Sequence, residues 1–227
     1  MNVYLLDATT FKQVGEKGQE VRAHMCYNLT KGAMEDVVVT DNHTAESTKT
    51  FTIIPGHLYI ADAGYGKGKG FGYVVSKKGN ALFRFTPNLV NLAKDANGNT
   101  KIDMKKMLST KSKLVEFTCY IHTEKGQYIP VRIIASRLPE DKELLAKERK
   151  MRTARRKQQK VKEETLVYAG WVILMTNLDS RHSAISLLDL YRSRWQILSA
   201  SFCYAHLLFR DVDITRNNTG TGTKRCA

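Results

Sequence analysis

"VYLLDATT" (residues 3–10) and "LYIADAGY" (residues 58–65) repeat one pattern, and their shared reading decides the fold. Each is an apolar run that ends in an aspartate followed by a small residue. Short apolar runs of this kind read as buried strands. Asp7 and Asp62 are therefore expected at or near the ends of two strands in the middle of a sheet. A carboxylate beside a buried strand is costly unless it is paired or metal-bound. Carboxylates on adjacent strands can hold two divalent ions roughly 3.5–4 Å apart for in-line phosphoryl transfer. Magnesium suits such an all-oxygen donor set and keeps waters for the reaction. The plainer reading is an aspartate in the turn after each strand, and the pair taken alone leans to it.

Outward from these two runs, residues 20–28 and 35–40 read as strands separated by the turn signal Thr30-Lys31-Gly32. Residues 51–55 read as another, closed by Pro55-Gly56. The run GYGKGKGFG (residues 64–72) departs from the phosphate-loop pattern G-x-x-x-x-G-K-[ST]. It reads as a flexible loop whose Lys67 and Lys69 face solvent or a phosphate. From about residue 77 to 165 the pattern changes to short β-like runs at 81–85, 114–122 and 128–135. Pro139 then opens a charged helical stretch, helped by its fixed φ and by Glu140 and Asp141 at the positive end of the helix dipole. Ten basic residues stand against six acidic ones in residues 139–165. That excess could touch a phosphate backbone; a plain solvated helix fits equally. Residues 167–175 read as a strand. Residues 183–197 read as a helix, with Leu187, Leu188, Tyr191 and Trp195 at helical spacing for a face packed on the sheet.

The formal net charge is +14 and the sequence pI about 9.6. Such a balance suggests a polyanionic partner, of which nucleic acid is the commonest; a ribosomal-type or merely basic protein is the blander reading. The four cysteines form no C-x-x-C pair, which argues against a zinc site. Their scatter fits a reducing cytosol rather than a disulfide scaffold. The N-terminus lacks the pattern of a signal peptide, and no stretch reaches the roughly 18 apolar residues of a membrane span. The expectation is a soluble, cytoplasmic protein with no membrane partner.

The stretch "YRSRWQIL" (residues 191–198) adds a third element. Tyr191 and Arg194 are three apart and share a helix face, and residue 198 lies one turn further along it. An acid there would project toward the two aspartates, and the next like position is residue 205. An ordinary amphipathic helix with a solvated arginine is the alternative.

Taken in order, these residues resemble the DDE transposases of bacterial insertion sequences, specifically the insertion-sequence-four family. That family has its first aspartate in a "DAT"-like strand, here Asp7-Ala8-Thr9, and its second in a D-x-G-Y/F motif, here Asp62-Ala63-Gly64-Tyr65. Of its hallmark Y-x2-R-x3-E-x6-K, Tyr191 and Arg194 match. "GWVILMTNL" (residues 170–178) also looks like the family's last core strand. Each motif alone is weak; all of them in order, at plausible spacing, are strong.

The resemblance implies an α/β, RNase H-like mixed sheet flanked by helices, with a β-rich insertion before the last strand and helix. Residues 1–78 would be the first part of the core, 79–165 the insertion with its charged helix, and 166–197 the last core strand and helix. It also implies transposition of DNA, with Asp7 and Asp62 binding two Mg²⁺. Tyr191 and Arg194 would hold phosphates near the cleaved end, and a homodimer could assemble on DNA near the nucleoid. Trp171 would stack on a flipped base, although a core tryptophan is the plainer reading.

At positions 198 and 205, where the family motif calls for glutamate and lysine, stand Leu198 and Ala205. The resemblance stops at Ile197. Residues 198–227 read as an out-of-family tail, either disordered or out of the original frame. With Asp7 almost at the start, the resemblance also leads to the expectation that the family's N-terminal DNA-binding domain is absent, as in a truncated transposase. Such a chain is expected to be catalytically impaired, or to act as a non-catalytic DNA-binding or transposase-inhibiting fragment. An unrelated RNase H-like nuclease using Asp189, Asp211 or Asp213 as its third acid is a further reading.

Overall fold

The computed structural model describes residues 1–12, 20–194 and 224–226. An antiparallel meander opens the chain: β1 (Val3–Lys12), β2 (Glu20–Asn28) and β3 (Ala33–Asp41). Next come β4 (Leu58–Ala61), α1 (Gly68–Ser76) and β5 (Asn80–Arg84), with β4 parallel to β1 and β5 parallel to β4. The order β3-β2-β1-β4-β5, three antiparallel strands and then two parallel ones, is an RNase H-like core. Beyond β5 the same sheet runs on through β9 (Trp171–Thr176), β8 (Tyr128–Arg137), β7 (Leu114–His122) and β6 (Leu92–Ala93). At its other edge β10 (Lys224–Cys226) pairs antiparallel with β3. The helices are α2 (Met104–Leu108), α3 (Glu140–Arg156), α4 (Glu163–Ala169) and α5 (Ala184–Arg192).

Side chains alternate across a sheet, and that period sorts the core into two layers. On β1 and β4, Tyr4, Leu6, Tyr59 and Ala61 enter one cluster, with Phe71 and Val74 of α1. Leu5, Leu58 and Ile60 enter the other, with Leu187, Leu188 and Tyr191 of α5. Leu187, Leu188 and Tyr191 of the expected face of α5 pack there, Trp195 lies outside the described residues, and the helix starts after Ser183, whose side chain accepts from the Ser186 N–H.

Three local readings differ from the structure. Residues 51–55 form no strand; a single helical turn at Thr48–Thr50 precedes them, and Phe51 and Ile53 plug the core as loop residues. The glycine run is not a loop throughout, because Gly68 begins α1. Glycine serves there for closeness: a Cβ on Gly68 would stand 2.0 Å from the carbonyl oxygen of His122. Finally, residues 163–169 are helical. Glu163 and Glu164 favour a helix start, and Val167 and Tyr168 pack on the core from one face. The strand begins only after Gly170 and lies between β5 and β8, antiparallel to both.

Candidate active site

The β1–β4 ladder pairs Val3 with Leu58 and ends with Leu6 beside Ala61. One step further along the same parallel register stand Asp7 and Asp62. By alternation both leave the sheet on the face that α5 covers, since Leu5 and Ile60 two residues earlier belong to the α5 layer. The β1–β4 register sets their adjacency, and the alternation along each strand sets their direction.

Arg194 lies just past α5, its backbone N–H donating to the Tyr191 carbonyl at 3.1 Å. Its guanidinium spans the two acids, with Nη1 3.6 Å from Asp7 Oδ1 and Nη2 3.6 Å from Asp62 Oδ2. The Tyr191 ring lies beneath it, 5.8 Å from Cζ to the ring centroid. Asp7, Tyr191 and Arg194 are all buried. Burial pushes the Asp7 carboxyl above its ordinary pKa; Arg194 pulls it back, and the Asp62 charge adds to the rise. The expected cluster of Asp7, Asp62, Tyr191 and Arg194 is brought together by the fold.

Two residues outside that expectation complete the surroundings. Glu46, in the loop after β3, faces the pair: a Cβ on Gly64 would stand 1.6 Å from Glu46 Oε2 and 3.5 Å from Asp62 Oδ1. Burial and the Asp62 charge raise its pKa, while Arg22 lowers it. Tyr65 donates to the Asp7 carbonyl at 3.2 Å and lies 3.5 Å from His24 Nδ1, while His24 Nε2 is 3.1 Å from Thr40 Oγ1. This buried chain fixes the β1 backbone at Asp7. Glu46 carries no periodic signal in its own stretch; the small residue at position 64 is the sole trace of it in the sequence.

Other expected residues sit apart. Lys67 precedes α1 and is exposed, close enough to Glu46 to lower its pKa. Lys69 is exposed on α1. Trp171 is buried in the core at 2% exposure, with the Arg137 guanidinium 5.5 Å over its ring. Asp189 pairs with Arg192 at 2.5 Å on the exposed face of α5, away from the site. Leu198, Ala205, Asp211, Asp213 and most of the tail lie outside the described residues. Cys26 and Cys119 are buried, and burial pushes both thiols up to about 12. Among the described residues no helix is long and apolar enough to cross a membrane.

A family model described as the transposase DDE domain matches residues 1–197. The chain belongs to that family. The match ends at the residue where the sequence motif gives out. This DDE-domain chain is 31% identical over 212 positions to the putative transposase InsL of insertion sequence element IS186A of Escherichia coli (strain K12). It has the same identity over the same length to the transposase of insertion sequence element IS421 of Escherichia coli. Each alignment covers 85% of this chain and 54% of the relative, so the chain spans about half the length of the curated relatives it matches.

Proposed function

We propose that this chain carries the site at which a transposase cleaves and joins DNA phosphodiesters at insertion-sequence ends. The observation that supports this is the side-by-side placement of Asp7 and Asp62 under one guanidinium. The donor set fits a hard divalent cation: both ligands are carboxylate oxygens, and a cationic group already lies against them. Asp7 and Asp62 would hold the ion, and Mg²⁺ is the natural choice for such oxygens. Bound there, the metal would polarise the scissile phosphate and acidify a water. Arg194 would release the carboxylates and turn to the phosphate, with Tyr191 supporting its plane. The insertion-sequence-four reading rests on the spacing of Tyr191 and Arg194.

A second reading has its own support. Leu198 stands where the resembling motif has glutamate. The chain would then bind DNA and cut it poorly or not at all. Divalent-dependent nicking of a DNA bearing the element's ends separates the two. Asp7→Ala and Asp62→Ala should abolish any cleavage, with losses of several orders of magnitude ordinary for essential groups. If Leu198→Glu restores strong cleavage to a silent parent, the site is a transposase site lacking its third acid. Cleavage that survives Asp7→Ala refutes the assignment of the site.

A further inference from the structure

The basic excess of α3 is not spread evenly along the helix. Residues 149–162 contain eight Lys or Arg and no Asp or Glu. Arg149, Lys150, Arg152, Arg155 and Arg156 are exposed, and none is in an ion pair among the described residues. The first half of the same helix is neutralised differently, Glu143 being engaged by both Arg137 and Lys147.

That unpaired end borders a groove of about 480 Å³ between α3, α4, β5 and β9. Arg149, Lys150 and Thr153 line it from α3, Tyr168 from α4 and Arg84 from the end of β5. The groove also reaches Ala63, the residue that follows Asp62. One trough therefore runs from the basic end of α3 to the backbone beside the second aspartate. Its wall bears three cations and a tyrosine, and no acidic side chain lines it.

We propose that this groove is a DNA-binding track that holds the phosphate backbone of the strand entering the Asp7–Asp62 site. Arg149, Lys150 and Arg84 make its phosphate contacts. The proposal deepens the function argued above and rests on it for the identity of the strand. Charge complementarity selects the occupant: unpaired Arg and Lys along a trough match a polyanion with evenly spaced charges. Ala63 and Arg84, at the parallel ends of β4 and β5, bring one end of the groove to the sheet edge that carries Asp62, so a strand laid there would have to cross that edge to reach the carboxylates on the α5 face.

The test is fluorescence anisotropy of a fluorescein-labelled 30-base-pair duplex with the whole chain in EDTA, titrated from 50 to 200 mM NaCl. Each lost phosphate contact should reduce the log–log salt slope by about 0.9. Arg149→Gln with Lys150→Gln should thus flatten the slope by about 1.8, so that the affinity lost over that salt range is about tenfold smaller. Lys94→Gln with Lys101→Gln, two exposed lysines away from the groove, should leave the slope unchanged. Arg149→Lys with Lys150→Arg should retain the parent slope, and far-UV circular dichroism should show each variant folded. An unchanged slope in the first pair, equal flattening in both glutamine pairs, or no binding by the parent at 50 mM overturns the track. A chain whose salt slope fails these tests can still cleave DNA through Asp7 and Asp62, so the two readings fail separately.

Discussion

Replacing Arg194 by methionine isolates what the guanidinium does. Its side chain is 5% exposed and Asp7's is 13%, so that contact is nearly dry, whereas Asp62 at 39% is open to water. Removing one partner of a buried ion pair costs about 3–5 kcal/mol, because the remaining charge is left uncompensated. The Asp62 contact is screened and adds little. The low end, about 3 kcal/mol, is the expected loss for Arg194→Met. For a chain of this size that is a fall in Tm of about 6–12 °C. The penalty belongs to the charged form of Asp7, whose pKa burial already raises. A raised carboxyl pKa favours the folded state below the unfolded value and loses that advantage as pH rises through the folded one. The variant's deficit should therefore be largest at neutral pH and shrink on acidification.

A double-mutant cycle with Asp7→Asn makes the argument quantitative. If the cost is the uncompensated Asp7 charge, the second substitution should erase much of the first, with a coupling of about 1–3 kcal/mol in urea unfolding at pH 7. Independent, additive effects would mean that Arg194 stabilises the fold through packing alone. The image of one cation serving both acids would then be wrong.

Three further outcomes follow from particular contacts. Gly68→Ala places a methyl 2.0 Å from the His122 carbonyl oxygen, a backbone atom. It should cost about 3 kcal/mol in chemical denaturation; a neutral result would mean that α1 and β7 can part freely. Arg132→Met should cost about 3 kcal/mol and loosen the start of α5, because Arg132 donates at 2.7 Å to the carbonyls of Asp179 and His182. Protection of the α5 amides in hydrogen exchange would report it, and unchanged protection would contradict it. His24 is fully buried and its pKa is lowered by burial and by Arg22. The folded state therefore binds its proton less readily than the unfolded one. Stability should fall as pH drops below about 6.5, and His24→Asn should remove that part of the slope; an identical pH profile would refute the assignment.

Much of the site was legible because its geometry follows from local rules. The period of two along "VYLLDATT" and "LYIADAGY" puts both aspartates on one face. The helical period of Leu187, Leu188 and Tyr191 brings α5 down on that face. What was not legible depends on contacts far apart in sequence. The need for glycine at the start of α1 comes from the carbonyl of His122, far away in sequence. Glu46 reaches the site through a loop whose own residues carry no periodic signal. The short strand read over residues 51–55 failed for a related reason: Phe51 and Ile53 are buried by filling the core from a loop, and alternation there was a coincidence of two apolar residues.

The placement of Arg194 ties these strands of argument together. Two carboxylates on adjacent parallel strands repel one another, and a third, Glu46, stands nearby. Folding such a site needs positive charge at that point before any ligand arrives. Arg194 supplies it from an element late in the chain, so the same residue that holds the acids in the free protein would, in the proposed function, face a phosphate in the bound one. The two roles call for one property: a guanidinium held with its fork toward the acids, as the Tyr191 ring beneath it and the turn after α5 hold it here. A lysine at position 194 would satisfy the charge and lose the fork. Arg194→Lys should accordingly retain most of the stability lost in Arg194→Met while failing to bridge Asp7 and Asp62 together. A lysine variant as unstable as the methionine one would show that the fork, rather than the charge, holds the site.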